Sequence, residues 1–191
     1  MGIKLTAFAK KLAEVAIGQF LKYRYMREQE TALAKQIEAY WQGIAAFLGV
    51  STAWSAVFTS WCVRQAGATA AEFHFSARHS AFVYWAIQNQ LNNTGLFKGH
   101  DIKTHAPKVG DILQNNRSGN HFDFAHAQAN QKYESHSSIV IEVGTDSKGN
   151  YLRTIGGNEN DSVGMKEVRL DVKGYVKNSN GIYISVIENL K

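Results

Sequence analysis

Cysteine is almost absent from this chain of 191 residues. The single one, Cys62, excludes an internal disulfide framework and every metal site built on several thiolates, so the fold must stand on packing. Proline is just as scarce, and Pro107, the only one, marks the point where the residue pattern changes character. Charged residues make up 19% of the chain and no polar low-complexity tract occurs, which argues against long disorder. Long apolar runs are missing too. Between Met1 and Phe20 the charges of Lys4, Lys10, Lys11 and Glu14 interrupt any hydrophobic stretch. Neither a secretory signal core nor an integral membrane segment is expected there, and the chain is expected to be made in the cytoplasm without a Sec-type signal. Charge of one sign is not concentrated either. Twenty-one basic residues against sixteen acidic ones give +5, which favours approach to a polyanion. The basic residues are scattered, however, and no aromatic-basic motif of an RNA-binding sheet occurs, so nucleic acid is not the expected partner.

What is present is 45% hydrophobic residues, enough for one well-cored unit with a helical appendage. From Leu5 to about Phe47 apolar residues recur at helical intervals, predicting two helices with a break over residues 28–31. Gly49 fits a C-cap for the second, and Ser51 and Thr52 offer capping hydroxyls to the next. Residues 54–65 predict a third helix, so continuously apolar that it should be buried, ended by Gly67. Residues 78–92 predict a fourth, with Ser76 as its N-cap. After Pro107 come short strands at 111–113, 138–143, 151–155, 168–172 and 182–187, with a hairpin loop at 146–150. Residues 115–133 read as a long polar loop holding His121 and His126. Helices followed by a mostly antiparallel sheet make an α+β arrangement, divided as an N-terminal helical pair over residues 1–48 and a main unit over 49–191.

Four colinear motifs carry chemistry. Trp54-Ser55-Ala56-Val57-Phe58-Thr59-Ser60-Trp61 with Gln65-Ala66-Gly67 comes first, then Lys108-Val-Gly-Asp111-Ile112, then His136-Ser-Ser-Ile-Val-Ile-Glu-Val, then Ile155-Gly-Gly157-Asn158-Glu-Asn-Asp161-Ser-Val163. In this order they resemble the Trp-Cys-Ala-Ala-Phe-x-x-Trp, Pro-x-x-Gly-Asp, histidine-strand and Gly-Gly-Asn segments of CHAP-type and NlpC-type cell-wall amidases. The chain looks closest to a related uncharacterised bacterial family with Trp-Ser-Ala-Ala-Phe. The resemblance runs from about residue 37 to 187.

The resemblance implies a papain-like fold, an antiparallel sheet packed on a nucleophile helix. It implies Ser55 as the attacking group, His136 as the base and Asn158 as the residue orienting it, with Trp54, His79 and Gly157 as substrate contacts. It implies hydrolysis of peptidoglycan peptide amides with no cofactor or metal, by an antibacterial effector delivered to the periplasm of a target cell or by a phage-like lysin, and an immunity protein or secretion-machine component as partner. The departure is serine where the amidases have cysteine, since a hydroxyl lacks the accessible ionisation of a thiol. Three readings stay open: a true serine nucleophile, a vestigial binding pocket, or a serine standing in for a natural cysteine. A serine-type acyl hydrolase of another substrate is a further alternative.

Plainer readings stand beside these. Cys62 reads as a buried inert thiol, His79 equally as a capping histidine near a helix start, and Asn158 equally as turn chemistry. The four tryptophans, Trp41, Trp54, Trp61 and Trp85, read as packing, and Asp111 as a strand-end residue. The histidines at 74, 100, 105, 121 and 126 lack ligand spacing with carboxylates or thiols, so no metal site is expected, and His121-x-Asp123-x-x-His126 reads as solvated.

Overall fold

A computed structural model describes residues 5–45 and 48–191; Lys4 and Phe47 of the sequence argument lie outside the described residues. Helix α1 (Ala7–Tyr23) starts where Thr6 Oγ1 accepts from Ala9 N at 3.1 Å, filling one first-turn donor. Phe8, Leu12 and Ala16 recur every fourth residue and are buried, while Lys10, Lys11 and Glu14 stand in solvent. Helix α2 (Thr31–Gln42) buries Leu33, Ile37, Tyr40 and Trp41, and stops at Gly43, short of the predicted end. Ile44 packs onto the core from the turn that follows, so the apolar period continues in the sequence after the helix has ended.

Helix α3 (Ser55–Gln65) is buried from Ser55 to Ser60 and at Cys62 and Val63. Burial also pushes the Cys62 thiol well above its ordinary range, which leaves it inert. No side chain caps this helix. Trp54 holds the N-cap position, and Thr52 donates its hydroxyl to Leu48 O at 2.6 Å instead. Helix α4 (His79–Leu91) is likewise uncapped by any side chain: Arg78, not Ser76, takes the N-cap position, while Ser76 Oγ accepts from Arg78 N at 3.0 Å in the turn before it. Ser60 Oγ donates to Ser76 O at 2.9 Å and accepts from Ser76 N at 3.1 Å, which ties the approach to α4 onto α3.

Six strands follow: β1 (Phe97–Asp101), β2 (Ile112–Asn116), β3 (Ser135–Asp146), β4 (Gly149–Gly156), β5 (Gly164–Arg169) and β6 (Tyr183–Asn189). They form one sheet in the order β1-β6-β2-β3-β4-β5, with every neighbouring pair antiparallel. The fold class is therefore α+β, as the residue pattern predicts. Strand β1 was not predicted because Phe97 is its only large apolar residue; pairing with β6 makes it a strand, and Gly99 lets it approach α4, where a Cβ would lie 2.7 Å from Ile87 N. The predicted long loop contains helix α5 (Phe124–Ala129), capped by Asp123 Oδ1 accepting from His126 N at 2.8 Å.

The main core, with Leu12, Ile37, Trp54, Phe58, Phe82, Ile139 and Ile155, lies between the helices and the sheet. A smaller apolar cluster of Ile102, Leu113, Val140, Leu152, Val168 and Val186 forms separately, its strand members alternating with those of the main core. Among the described residues no helix is long and apolar enough to cross a membrane.

The start of α3 is anchored from the α1–α2 connection. Glu28, a buried carboxylate, accepts from Trp54 Nε1 at 3.0 Å. Glu28→Ala strands that buried indole N–H and should cost about 1–3 kcal/mol in urea unfolding, while Glu28→Gln, which keeps an acceptor, should cost less.

Candidate active site

Ser55 is the first residue of α3 and His79 the first residue of α4. The turn before α4, held to α3 through Ser60 and Ser76, brings the two helix starts together. Ser55 Oγ then lies 2.7 Å from His79 Nε2, within hydrogen-bond distance. Both side chains are buried to within a few per cent, yet both border a cleft of about 620 Å³, lined also by Ala56, Arg117, Lys132 and Tyr133. Two uncapped helix N-termini thus converge on one hydroxyl. Their first-turn N–H groups and positive dipole ends favour negative charge on an oxygen here and disfavour positive charge on His79. Burial, followed by the neighbouring His136 and Arg117, holds the His79 imidazole well below its usual pKa, so it is neutral near neutral pH. Its Nδ1 is buried without a partner.

His136 stands at the start of β3, and its ring centroid is 5.1 Å from that of His79. Its Nε2 lies 2.8 Å from Glu159 Oε1. Lys166 meets the other Glu159 oxygen. Burial opposes ionisation of Glu159, but His136 and Lys166 outweigh it and bring its pKa down to about 2. A neighbouring pocket of about 500 Å³ is lined by Arg117, His136, Asn158, Glu159 and Lys166, and Arg117 borders both spaces. The wall behind Ser55 is braced by Gln114, whose Nε2 donates to Tyr133 Oη at 2.8 Å and Ser135 Oγ at 2.9 Å, while its Oε1 accepts from Ser185.

The residue pattern places His136 beside Ser55; the structure gives the direct contact to His79, because α4 begins against α3 while the His136 ring lies against Glu159 in the turn after β4. Asn158, expected to orient His136, lines the second pocket, and its neighbour Glu159 makes the contact. Asn158, Asn160 and Asp161 all take left-handed φ near +55°, a turn chemistry these side chains tolerate, and this turn carries Glu159 back to the imidazole. An acidic residue inside an Asn-rich turn after a strand was the signal available for Glu159. Trp54 and Gly157, expected to touch substrate, lie behind the site. Trp54 is fully buried, and a Cβ on Gly157 would meet Phe58 Cβ at 2.6 Å and Trp54 Cζ3 at 2.7 Å, so this glycine serves close packing of β4's end on α3.

The chain belongs to the family described as "Uncharacterized protein conserved in bacteria (DUF2272)". The match covers residues 24–186 and so includes Ser55, His79, His136 and Glu159, with α1 outside it. No curated protein and no solved structure matches the chain. In this DUF2272 chain one group of histidines and carboxylates among the described residues, His100, His105 and Glu188, brings a ligand atom from each within 4.8 Å of the others, and none of the three lines either pocket described above. His121, Asp123 and His126 do not converge in that way: Asp123 caps α5 and His126 stacks on Phe122 at 4.1 Å.

The two perturbed groups act on stability in separate windows. Below the ordinary histidine value of 6.5, an unfolded chain protonates the His79 side chain while the folded chain does not, so stability falls as pH drops from 6.5. The Glu159 contribution persists to lower pH and is lost only as pH falls from 4.5 towards 2. Urea unfolding should therefore show a loss between about pH 7.5 and about pH 5.5 that is smaller in His79→Gln than in the unsubstituted protein.

Proposed function

We propose that the cleft hydrolyses an amide by acyl transfer to water, with Ser55 as nucleophile and His79 as the base in contact with it. In this reading Ser55 Oγ attacks the carbonyl carbon as its proton passes to His79 Nε2, and the oxyanion forms against the first-turn N–H groups of α3. His79 returns the proton to the leaving amine, and a water activated in the same way cleaves the acyl-serine. Glu159, placed beyond His136, supplies the negative charge that offsets positive charge building on the imidazoles. The observation that carries the reading is the 2.7 Å Ser55–His79 contact at two uncapped helix starts.

For substrate class we propose peptide amides of peptidoglycan stems or cross-links, on the CHAP-type and NlpC-type resemblance and a papain-like reading of the fold. The cleft rim supports an anionic substrate: Arg78, Arg117 and Lys132 are exposed and have no ion-pair partner among the described residues, and stem peptides carry free carboxylates. Delivery to a target cell's periplasm, with an immunity protein or secretion component as partner, belongs to the same proposal and rests on the resemblance alone. One observation favours the rival reading of a binding module: His79 Nδ1 has no acceptor to orient the ring as a base normally requires.

Incubation with purified sacculi and assay of new amino termini separates the two. Release by the unsubstituted protein is expected, reduced by about 10³-fold or more in Ser55→Ala and in His79→Ala. Release by Ser55→Cys alone would mean that the site needs a thiol, and release by neither protein would leave the binding module.

A further inference from the structure

Two histidines and two carboxylates that the Ser55 cleft does not use meet near the β1 edge of the sheet. His100 lies on β1 and Glu188 on β6, while His105 and Asp111 flank the connection leading into β2. In the β1–β6 register His100 is opposite Val186, so Glu188, two residues further, shares its face. His100 Nε2 lies 3.1 Å from Glu188 Oε2. The His100 and His105 rings stack with centroids 4.5 Å apart and planes 13° apart. One ligand atom from each of His100, His105 and Glu188 lies within 4.8 Å of the others.

We propose that His100, His105 and Glu188 form a binding site for a divalent transition-metal ion of the zinc class, with Asp111 orienting His105. Tetrahedral zinc with nitrogen and oxygen ligands at about 2.0–2.2 Å spaces those ligand atoms roughly 3.3–3.6 Å apart. The His100–Glu188 separation of 3.1 Å is already close to that, and the His105 ligand atom lies within 4.8 Å of both. Lys108 Nζ holds Glu188 Oε1 at 2.9 Å, which leaves Oε2 to face the histidines. Asp111 is fixed by accepting from Lys108 N at 2.8 Å and Asn189 N at 3.0 Å, and its Oδ2 stands 3.3 Å from His105 Nε2. A carboxylate pinned behind a ligating imidazole is the usual supporting partner of such a site. Three protein ligands leave one coordination position for water. The ion would clip β1, β6 and the segment between β1 and β2 together in a chain that has no disulfide to do so.

The test is metal stoichiometry and affinity of the full chain, stripped with chelator and titrated with Zn²⁺ by calorimetry, with the bound metal counted by mass spectrometry. One equivalent is expected in the unsubstituted protein and in Ser55→Ala. Binding should be at least about 100-fold weaker in His105→Gln and absent in His100→Ala/His105→Gln, with circular dichroism of the metal-free variants matching that of the metal-free parent. Zn²⁺ should raise Tm by several degrees in the parent and leave the double variant unmoved. Absence of stoichiometric Zn²⁺ in the parent, or equal affinity in the double variant, would overturn the assignment and leave the four side chains as a hydrogen-bonded charge network.

Discussion

A buried hydroxyl held against a buried neutral imidazole, where two helices begin side by side, is the contact on which the surrounding structure converges. Either helix start alone would be ordinary. One helix begins at Ser55 and the other at His79, and their positive ends discourage protonation of the His79 imidazole. The environment therefore favours an oxyanion and an available base at the same place. A side-chain cap on α3 would occupy the donors that such a site uses, and none is present.

Much of the surrounding structure serves to hold those two helix starts. Glu28 fixes the indole just before Ser55, and Gly157 allows the end of β4 to press against Trp54 and Phe58. The Ser60–Ser76 pair links α3 to the approach of α4, and Gln114 joins β2 to β3, β6 and Tyr133 on the cleft wall. The hydrogen bonds among them are buried or partly buried and specific in geometry, so they fix register where the apolar core alone would tolerate sliding. The α1–α2 pair contributes through the same contacts: Ser162 donates to Tyr23 O at 3.0 Å and so ties the turn after Glu159 to the end of α1.

The buried helix carrying Ser55 was legible because its apolar positions are nearly continuous, and β2, β3, β4 and β6 because of their turn residues and apolar pattern, while β5 runs earlier, over 164–169 rather than 168–172. Glu159 and the role of His79 were less so. Both depend on where a helix or turn begins, and in each case the chain uses no capping hydroxyl or glycine at the deciding position. Arg78 precedes α4 without capping it, and Asn158 turns the chain in the left-handed region. Strand β1 was invisible because its stability comes from pairing with β6, a partner more than eighty residues away. The same long-range pairing explains why His100 and Glu188 looked unrelated in the sequence although they are neighbours across two strands.

The most direct test of the account is covalent trapping of the hydroxyl. The folded protein is treated with a fluorophosphonate-type serine probe, and the modified peptide is located by mass spectrometry. The account predicts a single adduct on Ser55 that forms at least about tenfold more slowly in His79→Gln, since the imidazole is the proton acceptor. Absence of an adduct at Ser55, or labelling at an unchanged rate in the His79 variant, would contradict it.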